Sequence, residues 1–286
     1  MSTQRTTILA GADGSTSSDH AIGWAADEAA RTATTLRILH VVETATLDGP
    51  GHTTDGISEA LVKSGNQILD DARALALHRR PALTIETMLV HDRTVAAGLR
   101  QYADEATAVV VGHRGRGGFT GLLLGSTSLR LAGHYPGPVI VVRDPSDGRD
   151  ASADEVVVGL DLAEDPAPAL DHAFAAAAVR GAPLRAVHAW RPPPLAIEAR
   201  VEWPILADSL RGHLTTTLAP WRARYPDVKV VKDVIAGHPT EALAAASASA
   251  ALLVVGSRGR SIPLGSVSHG VIHHAHCPVA VVRPYE

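Results

Sequence analysis

The sequence predicts an α/β protein made of two doubly wound domains in tandem, each with a five-stranded parallel sheet. Three observations lead to this prediction. The chain has 286 residues, about twice the length of a typical domain. Its halves repeat the same short segments in the same order, and each half alternates apolar, β-branched runs with longer Ala-rich stretches of helical character. Strict alternation of strands and helices is typical of doubly wound folds.

The internal repeat is colinear over five segments. The matched pairs are Ile8–Asp13 with Val157–Asp161, Leu36–His40 with Leu184–His188, Val109–Arg116 with Leu253–Arg260, Leu124–Ser128 with Leu264–Ser268, and Pro138–Arg143 with Pro278–Arg283. Between the halves, residues 144–154 are rich in Asp, Pro, Ser, Gly and Ala and have no apolar periodicity. Because this is linker composition, we place the boundary near Ser152 and the domains at 1–146 and 153–286.

The elements of the first half set the expected position of the chemistry. The pattern predicts strands near 6–11, 35–41, 84–89, 107–112 and 138–142, and helices near 17–32, 57–78, 94–105 and 126–134. Strands that are almost entirely apolar suit a parallel sheet covered on both faces. Such sheets bind ligands at the carboxyl ends of their strands, where the strand order reverses. We therefore expect functional residues just after the first and fourth strands.

Composition limits the partners and the compartment. The net charge of −4 and the pI of 6.4 provide no basic field for nucleic acid or anionic lipid. The single cysteine, Cys277, excludes intramolecular disulfides and fits a reducing compartment. The N-terminal apolar stretch is too short for a signal peptide or a membrane span. We expect a cytoplasmic protein that binds neither nucleic acid nor membrane.

A glycine-rich loop follows the fourth predicted strand. It runs from Gly112 to Gly121 and leads to a helix that begins near Ser126. Glycines allow backbone N–H groups to approach an anion, and a helix N-terminus favours phosphate. Either feature alone is common as a loop or a helix cap. Both together at the switch point favour a phosphate site.

Two common phosphate loops are excluded. A Walker A loop needs G-x-x-x-x-G-K-[ST], but the three lysines, Lys63, Lys229 and Lys232, lie elsewhere in the chain. A dinucleotide fingerprint would follow the first strand, where the chain instead reads Gly11-Ala12-Asp13-Gly14-Ser15.

The spacing of glycines in this loop resembles the signature of one protein family. Gly112-x-x-Gly115, nine further residues and then Gly125-Ser126 resemble the G-2x-G-9x-G-[ST] signature of ATP-binding universal stress proteins. The turn at Ala12–Ser15 and the segment Gly133–Val142 also resemble parts of that family, and the resemblance covers almost the whole chain in two copies. It implies Rossmann-like domains related to the adenine nucleotide alpha hydrolases, with strand order 3-2-1-4-5, and a role in stress response.

The resemblance also implies roles in the first domain. Asp13 would meet the adenosine, Val41 would line the adenine pocket, and Gly125 with the two residues after it would bind phosphate oxygens of ATP, with Mg²⁺. The full set implied for nucleotide binding is Gly11, Ala12, Asp13, Val41, Gly112, His113, Arg114, Gly115, Arg116, Gly117, Gly118, Gly125, Ser126 and Thr127.

The second domain departs from the signature. Only five residues separate Gly259 from Gly265, so four loop residues are missing, and Asp161 is followed by leucine where the first copy has Gly14. A weaker nucleotide site is therefore expected there. Its candidate residues are Gly159, Asp161, Gly256, Ser257, Arg258, Gly259, Arg260, Gly265, Ser266 and Val267.

Several alternatives stay open. Asp13 could be only a turn residue, and Arg114 and Arg116 could be solvated loop charges. We expect His40 and His188 to be structural. We expect no metal site in the cluster formed by His273, His274 and His276, because the first copy holds Gly133, His134 and Pro136 there.

The leading hypothesis for function is an ATP-binding regulatory module that is not an enzyme, or at most a very slow ATPase, since neither loop offers a well-placed general base. A nucleotide-independent interaction or chaperone-like protein is the alternative, and an ATP-using enzyme is a third. We expect the two halves to pack as an intramolecular pseudo-dimer, because the apolar closing strands near 139–142 and 279–282 would otherwise be exposed sheet edges. We also expect whole chains to associate as a homodimer, and a protein partner of unknown identity.

Overall fold

The same order of strands and helices occurs twice in the computed structural model, which describes residues 6–44, 54–116, 124–144, 154–191, 203–257 and 264–284. The chain divides into a first unit, residues 1–144, and a second unit, residues 145–286. Each unit is described by itself.

The first unit alternates strands and helices along the chain. The elements are β1 (Thr7–Gly11), α1 (Thr16–Thr32), β2 (Thr35–Glu43), α2 (Thr54–Arg79), β3 (Ile85–Asp92), α3 (Val95–Gln101), β4 (Ala106–Gly112), α4 (Ser126–His134) and β5 (Val139–Val142). The strands are parallel in the order β3-β2-β1-β4-β5. Helix α1 packs beside α2, and α3 packs beside α4. The strand order reverses at β1 and β4, so their carboxyl ends form the switch point.

The second unit repeats this topology. Its elements are β6 (Glu155–Gly159), α5 (Ala167–Arg180), β7 (Leu184–Trp190), α6 (Trp203–Arg224), β8 (Val230–Ala236), α7 (Pro239–Ala246), β9 (Ala250–Gly256), α8 (Ser266–His274) and β10 (Val279–Val282). The strands are parallel in the order β8-β7-β6-β9-β10, which is the order of the first unit. The predicted fold class is confirmed: two doubly wound α/β domains in tandem.

The core of each unit follows the apolar strands. Ile8, Leu9 and Ala10 in β1 and every residue of β5 are buried. Alanines on the buried face of α1 bring that helix close to the sheet, since a methyl group fills little space. The edge strand β3 is only partly buried, as expected of a strand with one neighbour.

Several predicted element bounds differ from the structure, among them the start of α2 and the ends of β2, β3 and α3. The helix expected near 94–105 ends at Gln101, because the chain then turns and the amide of Ala106 bonds to the carbonyl of Ala103 as β4 begins. Strand β3 continues to Asp92 because it stays in register with β2 as far as Glu43. Among the helices in the described ranges, none combines the length and apolar character that crossing a membrane requires.

Candidate functional site

A cavity of about 600 Å³ opens at the carboxyl ends of β1 and β4 in the first unit. Its volume lies within the range of small-molecule sites, roughly 300–1,000 Å³. The sequence-predicted residues that line it are Gly11, Ala12, Asp13, Val41, Gly112, Arg114, Gly115, Arg116, Gly125, Ser126 and Thr127. His113 lies beneath the cavity, and Gly117 and Gly118 lie outside the described residues.

Asp13 is fixed by the turn that follows β1. Its Oδ1 accepts hydrogen bonds from the Ser15 amide at 2.9 Å and the Ser15 hydroxyl at 2.6 Å. The Asp13 amide donates to Ser18 Oγ at 3.1 Å. Gly14 has a φ of 72°, a conformation that a residue with a side chain rarely adopts. Asp13 is thus a turn residue, as the alternative proposed, and it also lines the cavity.

The loop after β4 is tied to this turn through the same carboxylate. Asp13 Oδ2 accepts the amide of Arg116 at 3.1 Å. A Cβ on Gly115 would lie 2.7 Å from Asp13 Oδ2, so a side chain there would displace the carboxylate. The second glycine of the signature therefore has a steric reason that does not involve a ligand.

A polar chain, buried at Ser17 and His113, supports the loop from below. Ser17 Oγ lies 2.9 Å from His113 Nδ1 and accepts the Arg114 amide at 3.3 Å. His113 Nε2 faces Asp144 Oδ2 at 3.8 Å, and the other Asp144 oxygen accepts from His20 Nδ1 at 3.0 Å. A Cβ on Gly112 would lie only 2.6 Å from Ser17 O and Oγ.

His113 is neutral in this environment at neutral pH. It is only 4% exposed. Desolvation lowers its pKa, Asp144 partly offsets this, and the positive charges of Arg143, Arg114 and His20 lower it further. Its imidazole therefore acts as a structural hydrogen-bonding group beside the cavity.

The start of α4 leaves room for an anion. The Gly125 amide donates to the His113 carbonyl at 2.7 Å, and Ser128 Oγ donates to the Gly112 carbonyl at 2.7 Å. Gly125 is the N-cap and supplies no side-chain oxygen to the first amides of the helix. The residues that follow, Ser126 and Thr127, line the cavity.

Arg114 brings positive charge to the same end of the cavity. It is partly buried, and its Nε is buried with no hydrogen-bond partner in the described part of the chain. Arg116 is exposed and its guanidinium reaches the Gly14 carbonyl at 3.5 Å. Of the two arginines, Arg116 comes closer to the alternative of a solvated loop charge.

Part of the cavity lining is apolar. Val41, 7% exposed, lines it with side chains from α2, α3 and β4, among them Ile68, Leu99 and Val111. His40 Nδ1 donates to the Ala12 carbonyl at 2.7 Å, a structural bond between β2 and the turn after β1. The contribution of α2 and α3 was missed from the sequence, because apolar helix residues look the same whether they face a core or a ligand.

The second unit has a smaller cavity, of about 190 Å³, at the equivalent ends of β6 and β9. Of its predicted residues, Gly159, Asp161, Gly256, Ser257 and Val267 line it. Gly265 and Ser266 are not among its described lining residues, and Arg258, Gly259 and Arg260 lie outside the described ranges.

The backbone supports of the two sites are the same. His188 Nδ1 donates to the Leu160 carbonyl at 2.9 Å, as His40 does to Ala12. Ser268 Oγ donates to the Gly256 carbonyl, and the Gly265 amide donates to the Ser257 carbonyl at 3.0 Å.

The buried polar chain of the first unit is not repeated. Ser257 stands directly after β9, where the first unit has His113. Asp165 and Pro166 stand four and five residues after Asp161, where the first unit has Ser17 and Ser18. The Ser257 hydroxyl is fully buried and has no hydrogen-bond partner among the described residues.

The histidines of α8 contact one another. The rings of His269 and His273 are 4.6 Å apart between centroids, and those of His273 and His274 are 6.4 Å apart. Within the described ranges, no group of three or more His, Cys, Asp or Glu residues could hold a metal ion.

Comparison with known proteins gives one family. The sequence model of the universal stress protein family matches residues 4–143 and again 153–283. A universal stress protein of Mycolicibacterium smegmatis is 35% identical over 289 residues, 97% of each chain. One from Mycobacterium tuberculosis is 35% identical over 310 residues, covering 99% of this chain and 97% of its own. The crystal structure of a universal stress protein from Archaeoglobus fulgidus has a TM-score of 0.70 over 98% of this chain and 99% of its own, at 18% identity, which shows a shared fold.

Proposed function

The chain belongs to the universal stress protein family, and we propose that its first unit binds ATP with Mg²⁺ and acts as a nucleotide-dependent regulatory module in a stress response. The observation that carries this proposal is the cavity of about 600 Å³, which joins an apolar wall to a cationic, hydroxyl-rich helix start. ATP has the same division into an apolar base and a polyanionic tail.

The apolar end suits a base. Val41, Leu99 and Val111 supply aliphatic surface at the ends of β2, α3 and β4. A flat base buried against such side chains gains from the hydrophobic effect without an unpaired charge.

The opposite end suits phosphates. Ser126, Thr127 and Arg114 line the same cavity, and the Arg114 backbone lies beside Gly125 at the start of α4. A phosphate there would give the buried Arg114 Nε the acceptor that the described protein lacks. Asp13, whose Oδ2 accepts the Arg116 amide, adjoins the loop and would meet the adenosine part of the nucleotide, as the family resemblance implies.

Slow turnover is part of the proposal. His113 is buried beneath the loop after β4, and His40 Nδ1 donates a hydrogen bond to the Ala12 carbonyl. Neither is placed as a general base. We expect ATP turnover on the order of one event per hour or slower, against about 1–10³ per second for typical enzymes. Steady-state phosphate release of several per second that survives further purification would contradict this.

Substitution of Gly125 tests the site. A Cβ there would lie 3.5 Å from the His113 carbonyl oxygen, an ordinary contact, so G125A should fold normally and bind ATP. G125W would fill the space over the helix start and should abolish binding in calorimetry. G265W, at the equivalent position of the second unit, is the matched control and should retain the tighter site.

Unchanged ATP affinity in a folded G125W protein would overturn the assignment. A wild-type protein that carries no nucleotide and binds none would favour the alternative, a nucleotide-independent interaction protein. Cytoplasmic location and a homodimer remain predictions for the whole chain, and a strict monomer in light scattering would remove the second of these.

A further inference from the structure

The cavity of the second unit differs from that of the first in size and charge but keeps an apolar wall. We propose that it binds an uncharged nucleoside, a base and sugar without phosphates, and discriminates against ATP. This inference rests on the proposed function, because the two cavities lie at equivalent strand ends of duplicated units.

Size is the first difference. The cavity measures about 190 Å³, against about 600 Å³ in the first unit. In the first unit the lining includes Gly125 and Ser126 at the start of α4. The equivalent Gly265 and Ser266 do not line the smaller cavity, as far as its described walls extend. At the start of α8 the described lining is limited to Val267 and Ser268, so the smaller cavity leaves less room at the position where a triphosphate would bind.

The apolar wall is retained. Val187, Leu243 and Val255 occupy the places of Leu39, Leu99 and Val111 at the ends of the corresponding elements. The further apolar lining residues are Leu160, Pro166, Pro168, Ala169, Pro239 and Val282. The slot proposed for the base in the first unit thus has an apolar counterpart in the second.

The turn after β6 is more acidic than the corresponding turn after β1. Glu164 and Asp165 line the second cavity and stand where the first unit has Thr16 and Ser17. Asp165 Oδ1 accepts the Ala167 amide at 3.0 Å, so a carboxylate of the protein already occupies this helix start. Pro166, in the place of Ser18, has no N–H to donate. Two carboxylates repel a polyanion but leave an uncharged ligand unaffected.

Ser257 offers the cavity an unsatisfied polar group. It lines the cavity, and its fully buried hydroxyl has no hydrogen-bond partner among the described residues. Buried hydroxyls are normally hydrogen-bonded. A nucleoside carries both donors and acceptors that could pair with this hydroxyl.

The experiment uses the full chain with ATP binding to the first unit blocked by G125W. Calorimetry with adenosine should show a binding event that A189F removes, and ATP should bind at that site at least about tenfold more weakly. Ala189, which lines the cavity and is partly exposed, allows it to be filled: A189F should remove adenosine binding. S257A should weaken adenosine about fivefold through the lost hydrogen bond.

A charge-neutral variant provides the matched control. E164Q/D165N keeps the shapes and the helix cap, so adenosine affinity should be unchanged, whereas ATP affinity for the second unit should rise about threefold or more. If G125W does not fold, wild type is compared with A189F.

Absence of adenosine binding, or equal affinity for adenosine and ATP at the site that A189F removes, would overturn the inference. Failure of the proposed function would give a different result. Wild type would then bind adenosine at a site that A189F removes, but it would show no ATP binding that G125W removes.

Discussion

Replacing Gly112 with alanine tests the buried junction beneath the first site. A Cβ at Gly112 would lie 2.6 Å from Ser17 O and Oγ and 2.7 Å from Ser17 C, whereas real Cβ contacts essentially never fall under 3.0 Å. Two of these three atoms belong to the backbone, which cannot rotate away. Either the end of β4 or the first turn of α1 must therefore shift by about half an ångström, and Ser17 moves relative to His113.

The expected loss of stability is at the upper end of overpacking effects. Overpacking costs typically about 1–3 kcal/mol, and we expect about 3 kcal/mol for G112A because the obstacle is backbone. For a unit of this size that corresponds to a fall of roughly 10 °C in the melting temperature. ATP affinity should fall as well, since the Arg114 amide is held by Ser17 Oγ.

The second unit provides the matched control. Gly256 ends β9 as Gly112 ends β4, but no atom of the described residues lies within 4 Å of a Cβ built there. G256A should change stability by less than about 0.5 kcal/mol or stabilise slightly, because alanine restricts the unfolded chain. Scanning calorimetry gives the overall change, and hydrogen exchange of assigned amides locates it in the first unit. Equal effects of G112A and G256A would refute the steric argument.

Two further predictions concern buried polar groups. Burial lowers the pKa of His113 below 6.5, the value for the unfolded chain. At pH values between these two pKa values, the folded first unit therefore binds fewer protons than the unfolded chain. The free energy of unfolding of the first unit should therefore fall as the pH decreases below about 6.5. H113S, which places serine where the second unit has Ser257, should reduce this pH dependence in urea titrations. An equal pH dependence of stability in H113S and wild type would contradict the role of His113. Tyr135 is buried and its hydroxyl donates to the Ala103 carbonyl at 2.7 Å. Y135F should cost about 1–2 kcal/mol in urea unfolding, and a change below about 0.3 kcal/mol would show that the bond contributes little.

The backbone constraints of the site were predictable from the sequence. The turn at Asp13 and the glycines at 112, 115 and 125 come together at the switch point because parallel strands end at one edge of the sheet. Position 115 requires glycine because Asp13 lies close to it. The spacing of the glycine signature therefore reflects a steric constraint of the folded chain.

The side-chain partners were not predictable in the same way. Ser17 and His113 are 96 residues apart, and His20 and Asp144 are 124 apart. Ser17 is one of several serines in a polar run, and nothing local distinguishes it from a helix cap. Such pairs depend on how α1 packs against β4, which tertiary contacts decide.

The repeated bonds to backbone carbonyls have a consequence for protein engineering. His188 supports the Leu160 carbonyl, and Ser268 supports the Gly256 carbonyl, so the frame around the second cavity does not depend on the apolar side chains of its wall. Wall positions such as Ala189 and Val267 can therefore be varied in a library while the frame keeps its shape. A duplicated domain of this kind offers one copy for redesign while the other copy is left unchanged.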